Sequence, residues 1–425
     1  MLARFLTNAR GGVAPLMAVV AVPVMAAVGM AVDYSRVNAD RTAFQVALDA
    51  TALMLSKNAA TESKDSLQSQ ATNTFNSLYS RPEVTDVTVT PNYTSSGGSK
   101  LTLNGTAVVH TNFLGVIGIS QVDISAMSVS TWGNTRLRVA LVLDNTGSMA
   151  SAGKIDALKT ASHNLLTQLQ QAAVHPEDVY VSVVPFVKDV NVGPANYDQS
   201  WIRWDLWEEV NGRCSNTTYK NKTSCVSHGK VWTPHAHTTW NGCVTDRDQN
   251  FDTTNGAPVS GGTLYPAEQY SSCPASSVLG LSNDWTALNA RIDAMTPAGN
   301  TNQAIGLQLG WQTLTAAPYT VPAIDPEYKY QTVIILLTDG LNTEDRWYTT
   351  ASSIDTRQQK TCDNIKAAGI TLYTVQVNTG GDPTSTLLQN CASDAGKFFL
   401  LTSSGQIVTT FGQIGTSLSK LRLAM

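Results

Sequence analysis

Three separated stretches of this 425-residue chain carry oxygen-bearing side chains at spacings that chemistry can use. Asp144, Thr146 and Ser148 stand at alternate positions just after the apolar run Leu137 to Leu143. Thr301 lies in Thr296-Pro297-Ala298-Gly299-Asn300-Thr301-Asn302, and Asp339 follows the apolar run Thr332 to Leu337 by two residues. Carboxylates and hydroxyls are hard donors, and gathered together they suit Mg²⁺ or Mn²⁺. Hydroxyl ligands stay neutral, so an ion held mainly by them and two carboxylates keeps positive character and an open position. A carboxylate from another molecule could fill that position. Taken singly, each stretch also reads as a turn or a helix cap, with Ser148 or Ser151 capping a helix over 152–171. Taken together, at the ends of three elements, they favour one metal site.

Other chemistries fit less well. Asp144-Asn145-Thr146-Gly147 interrupts the Asp-Thr-Gly triplet of aspartic proteases, and no second triplet supplies the facing carboxylate that such a dyad needs. Neither a Gly-x-Ser-x-Gly elbow nor a phosphate-binding loop occurs. A hydrolase using the metal to activate water remains an alternative, but no histidine neighbours the three stretches to act as a base. His228, His235 and His237 lie near Cys214, Cys225 and Cys243 without a Cys-x-x-Cys pair, so disulfides are the better reading than zinc. The expected pairing is Cys214–Cys225, Cys243–Cys273 and Cys362–Cys391.

The elements that must position these groups follow from hydrophobic rhythm. From Leu137 onward, short apolar runs alternate with helical patterns. Strands are expected over 137–143, 179–186, 332–337, 370–377 and 398–401. Helices are expected over 152–171, 284–295, 303–315, 355–368, 384–393 and 405–422. This alternation implies an α/β fold with a doubly wound, mostly parallel sheet. In such a sheet ligands bind beyond the carboxyl ends of the strands, where the strand order reverses, which would bring Asp144 and Asp339 to one crevice. Residues 187–283 break the rhythm and hold five of the nine tryptophans and four of the six cysteines. They read as a disulfide-stapled insertion, with Trp201, Trp204 and Trp207 forming its small core rather than a partner surface.

The N-terminal third has a different texture. No charged residue occurs from Gly11 to Val32, and at about 1.5 Å per residue this run spans about 33 Å, enough to cross a bilayer core. Arg4 and Arg10 precede it without an acidic residue, while Asp33, Arg36, Asp40 and Arg41 balance one another after it. The positive-inside bias keeps residues 1–10 in the cytoplasm and sends the remainder across the membrane. The run is longer than an ordinary signal-peptide core, and Ala27-Val28-Gly29 is a poor cleavage site, so an uncleaved anchor is expected. A helix should continue over 33–60, where Val37, Phe44, Leu48 and Leu55 recur. Residues 61–83 are polar. Alternation around Val84–Val89, Leu101–His110 and Val122–Val129, with a turn at Ser95-Ser96-Gly97-Gly98, predicts a small α+β module ending near Gly133-Asn134.

Composition bounds the rest. Lys+Arg 28 against Asp+Glu 32 gives a net charge of −4, so no basic excess is available to neutralise phosphates, and no nucleic-acid partner is expected. Apolar residues at 42% exclude disorder for most of the chain.

Asp144-x-Thr146-x-Ser148, then Thr301, then Asp339 resembles the metal-ion-dependent adhesion site (MIDAS) of von Willebrand factor type A (VWFA) domains, with Thr146 in place of the usual serine. The resemblance implies that Ser148 and Thr301 are direct hydroxyl ligands. It implies that Asp144 and Asp339 act directly or through water, and that Thr146 is a ligand or near-ligand. Gly11-Gly12-Val13-Ala14, Pro23, Val32-Asp33-Tyr34 and Leu48-Asp49-Ala50-Thr51-Ala52-Leu53 resemble the TadG-like N-terminal segment of Tad (Flp) pilus-assembly proteins, the tight-adherence machinery. Trp240-Asn241-Gly242-Cys243-Val244 and Leu421-Arg422-Leu423 are similar to segments of the von Willebrand-type members of that group. TadE-like relatives carry a glutamate early in the apolar run, and this chain has none between Gly11 and Val32.

The expected organisation is a cytoplasmic segment 1–10, a transmembrane helix 11–32, a TadE/TadG-like stalk helix and α+β module 33–134, and a von Willebrand factor type A domain 135–425 with the insertion 187–283. The expected role is non-enzymatic. The chain would be a single-pass inner-membrane protein whose periplasmic part serves adhesion or scaffolding in pilus assembly. It would capture a partner Asp or Glu through bound Mg²⁺ or Mn²⁺. A minor structural component of the pilus, packing through the 33–60 helix, is the alternative.

Overall fold

In the computed structural model, which describes residues 13–95, 98–133 and 135–423, the apolar run and the helix after it are one element. Helix α1 (Val13–Ser56) passes through Pro23 without a break. It is long and apolar enough to cross a membrane. Its side chains between Met17 and Val32 are mostly exposed, whereas Phe44, Ala47, Leu48, Ala52 and Leu55 are buried at helical spacing. The change of surroundings tracks the first charge, Asp33. The segment expected in the cytoplasm, residues 1–10, and the turn residues Ser96-Gly97 lie outside the described residues.

The chain divides into two units at Asn134/Thr135. In the first, α1 is followed by α2 (Lys64–Leu78), a helix the polar texture of 61–83 conceals. Its apolar residues come about one per turn, Leu67, Ala71 and Phe75, and the Ser63 side chain caps its start by accepting from Ser66 N at 3.2 Å. Strands β1 (Val84–Thr94), β2 (Ser99–His110) and β3 (Gln121–Trp132) form an antiparallel sheet in that order. The helices and sheet share a core of Phe44, Leu48, Phe75, Leu101, Leu103, Val109 and Ile124. Gly105 faces the Phe44 ring, and a Cβ there would lie only 2.7 Å from it, so this strand position admits no side chain.

The second unit is built on six strands: β4 (Thr135–Asp144), β5 (Val179–Phe186), β6 (Leu279–Ser282), β7 (Lys329–Thr338), β8 (Thr371–Val377) and β9 (Phe398–Leu401). Their spatial order is β6-β5-β4-β7-β8-β9. All neighbours are parallel except β6, which pairs antiparallel with β5. Strand β6 lies inside the stretch expected to be insertion, and its register against Val181 and Val183 makes it the sheet's edge instead. Six helices flank the sheet: α3 (Lys154–Ala172), α4 (Trp285–Asp293), α5 (Gln303–Thr315), α6 (Ala351–Ala367), α7 (Thr386–Cys391) and α8 (Gly405–Leu423). Strand β4 is apolar on both sides. Leu137, Val139, Leu141 and Leu143 pack with residues of α3, α4 and α8, while Ala140 and Val142 pack with residues of α5, α6 and α7. Gly306 and Gly310 let α5 approach Phe186 and Val142 closely.

The insertion after β5 is held by Cys214–Cys225 and Cys243–Cys273, and Cys362–Cys391 joins α6 to α7. With those cysteines oxidised, the histidines find other partners. His237 stacks on Trp204 with centroids 3.7 Å apart, and His228 stacks on Tyr219. Trp207 is buried, and Trp201 and Trp204 pack against the same core as the insertion's Trp240 and Tyr265.

Candidate metal centre

Strand order reverses between β4 and β7: the chain leaves β4 for β5 on one side, and later returns to lay β7 on the other. The crevice outside that reversal is where Asp144 ends β4 and Asp339 follows β7. Asp144 is fully buried. Its Oδ1 accepts from Thr146 N at 2.8 Å and from Thr146 Oγ1 at 2.6 Å. Its Oδ2 accepts from Thr338 Oγ1 at 2.7 Å and, more distantly, from Asp339 N at 3.4 Å. Thr146 Oγ1 and Ser148 Oγ are 3.0 Å apart, and Ser148 Oγ donates to Asp339 Oδ1 at 2.6 Å. Asp144, Thr146, Ser148 and Asp339 therefore form one chain of hydrogen bonds across two strands. Ser148 is not the cap of α3: that position is taken by Gly153, just before Lys154, with a left-handed backbone (φ 66°) and no side-chain bond.

Thr301 stands one step away. Its loop is stitched to the Asp144 loop by Ala298 N to Asn145 O at 2.9 Å, Gly147 N to Gly299 O at 3.0 Å and Asn145 Nδ2 to Thr296 O at 2.8 Å. Thr301 itself is buried and held through its backbone by Thr343. Its hydroxyl takes no part in the hydrogen-bonded chain formed by the other four residues.

Two further residues belong to the site. Thr338 supplies the hydroxyl on Asp144. The Lys154 ammonium, on the first turn of α3, forms a buried ion pair with Asp339 Oδ2. Both have a trace in the sequence. Thr338 immediately precedes Asp339, and Lys154 is the only charged residue between Asp144 and Asp156. Burial, and next the like charge of Asp339, push the Asp144 carboxyl up to about 6, against the pull of the Thr146 and Thr338 donors.

The insertion is fastened to the loop that carries Thr301. Asn302 caps α5, accepting from Ile305 N at 3.4 Å, and donates through Nδ2 to Asp246 Oδ2 at 2.8 Å. Burial, and then the charges of Asp345 and Asp252, raise the Asp246 carboxyl to about 7. Lys188 bonds Glu268 at 2.5 Å. Among the described residues no three His, Cys, Asp or Glu side chains gather closely enough to hold an ion. The candidate site has two carboxylates and depends on hydroxyl oxygens for the rest. That all-oxygen set fits Mg²⁺ or Mn²⁺ rather than a softer metal.

Comparison with known proteins places the chain. The Flp pilus-assembly TadE/G-like family model matches residues 11–56, and the von Willebrand factor type A domain model matches residues 268–413. The second match begins beyond β4 and β5, so it covers Thr301 and Asp339 but not Asp144, Thr146 or Ser148. Similar solved structures include the pilus adhesin SpaC from Lactobacillus rhamnosus GG, at 13% identity over 81% of this chain and 36% of that one, with a TM-score of 0.38. Another is the vWF domain of the type V pili tip protein Mfa5 from Porphyromonas gingivalis, at 10% identity over 70% of this chain and 98% of that one (TM-score 0.39). A third is proximal thread matrix protein 1 from the mussel byssus, with a zinc-occupied MIDAS motif, at 14% identity over 68% and 46% (TM-score 0.36). The chain spans little more than a third of the length of SpaC. No curated protein matches it. By its two family matches, the chain joins a TadE/G-like pilus-assembly segment to a von Willebrand factor type A domain.

Proposed function

We propose that this protein is a membrane-anchored adhesion or scaffold component of Flp (Tad) pilus assembly. Its von Willebrand factor type A domain would capture a partner Asp or Glu at a divalent-metal site formed by Asp144, Thr146, Ser148, Thr301 and Asp339. The observation that carries this reading is the hydrogen-bonded chain from Asp144 through Thr146 and Ser148 to Asp339 at the sheet's reversal point. Bound Mg²⁺ or Mn²⁺ would supply an electrophilic position that a partner carboxylate completes.

The chain's own residues prepare that position. The backbone of the 296–302 loop holds the Asp144 loop in place, which fixes where the hydroxyls of Thr146 and Ser148 sit. Those hydroxyls rotate freely about their C–O bonds, so they can turn their protons away and present lone pairs. The Lys154 ammonium pairs with Asp339 in the closed crevice, the charge that a bound divalent cation would otherwise neutralise. Orientation follows from Arg4 and Arg10 before the apolar run: residues 1–10 stay cytoplasmic and 33–425 reach the periplasm from the inner membrane. Three disulfides fit that oxidising side.

Thermal unfolding with Mn²⁺, with Mg²⁺ and with chelator tests the site. At about a hundredfold excess over Kd, either ion should stabilise the wild-type domain by about 2.7 kcal/mol. Asp144→Ala should unfold independently of both. Identical wild-type melting in chelator and in excess cation would end the metal reading.

A further inference from the structure

One loop of the membrane-proximal unit has the composition and the position of a second membrane contact. Between β2 and β3, residues 111–122 carry no charge, and the stretch Phe113-Leu114-Gly115-Val116-Ile117-Gly118-Ile119 is apolar. Its large side chains point outward: Val116 is 85% exposed, Ile117 55%, Phe113 51% and Ile119 46%. An ordinary soluble loop is polar, and four large apolar side chains exposed within seven residues mark a surface that a partner or lipid would cover.

The loop is not loose. Thr111 N donates to Ser120 O at 3.1 Å and Thr111 Oγ1 to Ile119 O at 2.5 Å, closing its base. Leu114–Ile117 forms a 3₁₀ turn that ends on Gly118 with φ 92°. Its entry is fastened to α1. The Asp33 carboxylate accepts from Asn112 N at 3.3 Å, Phe113 N at 2.7 Å and Leu114 N at 2.7 Å. Gly29, one turn earlier and within the uncharged run, lies so close to Phe113 that a Cβ there would sit 2.7 Å from the Phe113 Cβ. The loop is thereby pinned beside the helix where its uncharged surface ends. Between Asp33 and Gly29 lies about 6 Å of helix, within the roughly 5–10 Å depth at which apolar groups settle among lipid headgroups and the first acyl carbons.

We infer that the Phe113–Ile119 loop inserts into the outer leaflet of the membrane that α1 crosses, as a second and interfacial anchor beside the transmembrane one. Lipid covers the loop because Phe113 packs at Gly29, within the Met17–Val32 run of α1 whose side chains are mostly exposed as well. Asp33, the first charge after that run, is spent on the loop's amides rather than left free in the interface. The two contacts together hold the sheet module at a fixed height and prevent it from turning freely about the helix. This inference rests on α1 being a membrane anchor.

The test uses the full chain in phosphatidylcholine vesicles, with a single cysteine introduced and labelled with the environment-sensitive dye NBD. Val116→Cys probes the loop tip. Lys100→Cys, roughly 30 Å away along β2, is the control. Flotation with the vesicles reports α1, and quenching by doxyl-labelled lipid reports the loop. The expected result is flotation of both proteins, with blue-shifted emission and loss of fluorescence to shallow doxyl groups at 116 and neither effect at 100. Flotation with both labels unquenched overturns the loop insertion while leaving the anchor. A blue shift at 116 that ignores doxyl lipid but grows with protein density means a second copy covers the loop, and also overturns it. Failure to float overturns the anchor and the inference together.

Discussion

Two buried carboxylates, one in each unit, are satisfied in opposite ways. Asp33 in the membrane-proximal unit receives three backbone N–H donors from one loop. Asp144 in the sheet domain receives two rotatable hydroxyls and a close amide, and burial followed by the charge of a second carboxylate beside it pushes its pKa up. Backbone amides are permanent donors and cannot turn into acceptors, so the Asp33 arrangement is a latch. Hydroxyls can reverse their role, and on the proposed reading a divalent cation would take the place of the Lys154 ammonium, so the Asp144–Asp339 arrangement would exchange partners. Burial of an acidic group therefore does not by itself mark a functional site. What distinguishes the two is whether the donors around the carboxylate can be traded.

The sharpest way to break this comparison is to remove Lys154. Asp339 would then be left buried without its counter-charge, and Lys154→Met should lose about 3–5 kcal/mol of domain stability in chelator. Mn²⁺ should recover more stability in this variant than in wild type. Equal responses in the two proteins would show that Lys154 and the cation do not share a role.

A second test uses pH. The Asp246 carboxyl is raised from 3.8 to about 7 by burial and by its acidic neighbours. Below the unfolded value both states hold the proton. Between about 3.8 and about 7 the unfolded chain releases it while the folded chain keeps it, so this group makes stability fall as pH rises through that window. Asn302 Nδ2 and Arg346 N both donate to the same oxygen, Oδ2, which an amide oxygen can replace. Asp246→Asn should flatten the decline and gain on the order of a few kcal/mol at neutral pH, read from denaturant midpoints at pH 4, 6 and 7.5.

The smallest effect concerns the latch. Asp33→Ala leaves three loop amides without their acceptor and should weaken the membrane-proximal unit by about 1–3 kcal/mol. Hydrogen exchange should quicken at residues 111–120, with the cation response of the sheet domain unchanged. A change in cation response would mean that the two carboxylates are not independent.

Much of this architecture was legible in the chain. Residues buried on both faces read as continuous apolar runs, so β4, β5 and β7 are visible in the chain with their carboxyl ends to within one residue, and oxygen donors beyond those ends could be assigned to one crevice. The disulfide pairing was equally accessible, because each cysteine bonds its nearest unpaired neighbour in sequence. Helix α2 was not, because one apolar residue per turn is faint beside a run of Ser, Thr and Asn. Strand β6 does not stand out from the insertion because a four-residue edge strand has too short a pattern to distinguish.

Residue type and spacing alone determined the membrane-length helix, the alternation of strands and helices, and the placing of Asp144, Thr146, Ser148, Thr301 and Asp339 at element ends. These are local properties, set by hydrophobic period and by chemistry carried on single segments. Which groups actually meet was decided only by the tertiary structure. The Lys154–Asp339 pair spans 185 residues, and Thr338 reaches Asp144 across 194. The Asp33 carboxylate finds a loop 80 residues ahead. Contacts of that range depend on strand order and register, and no single segment carries that information.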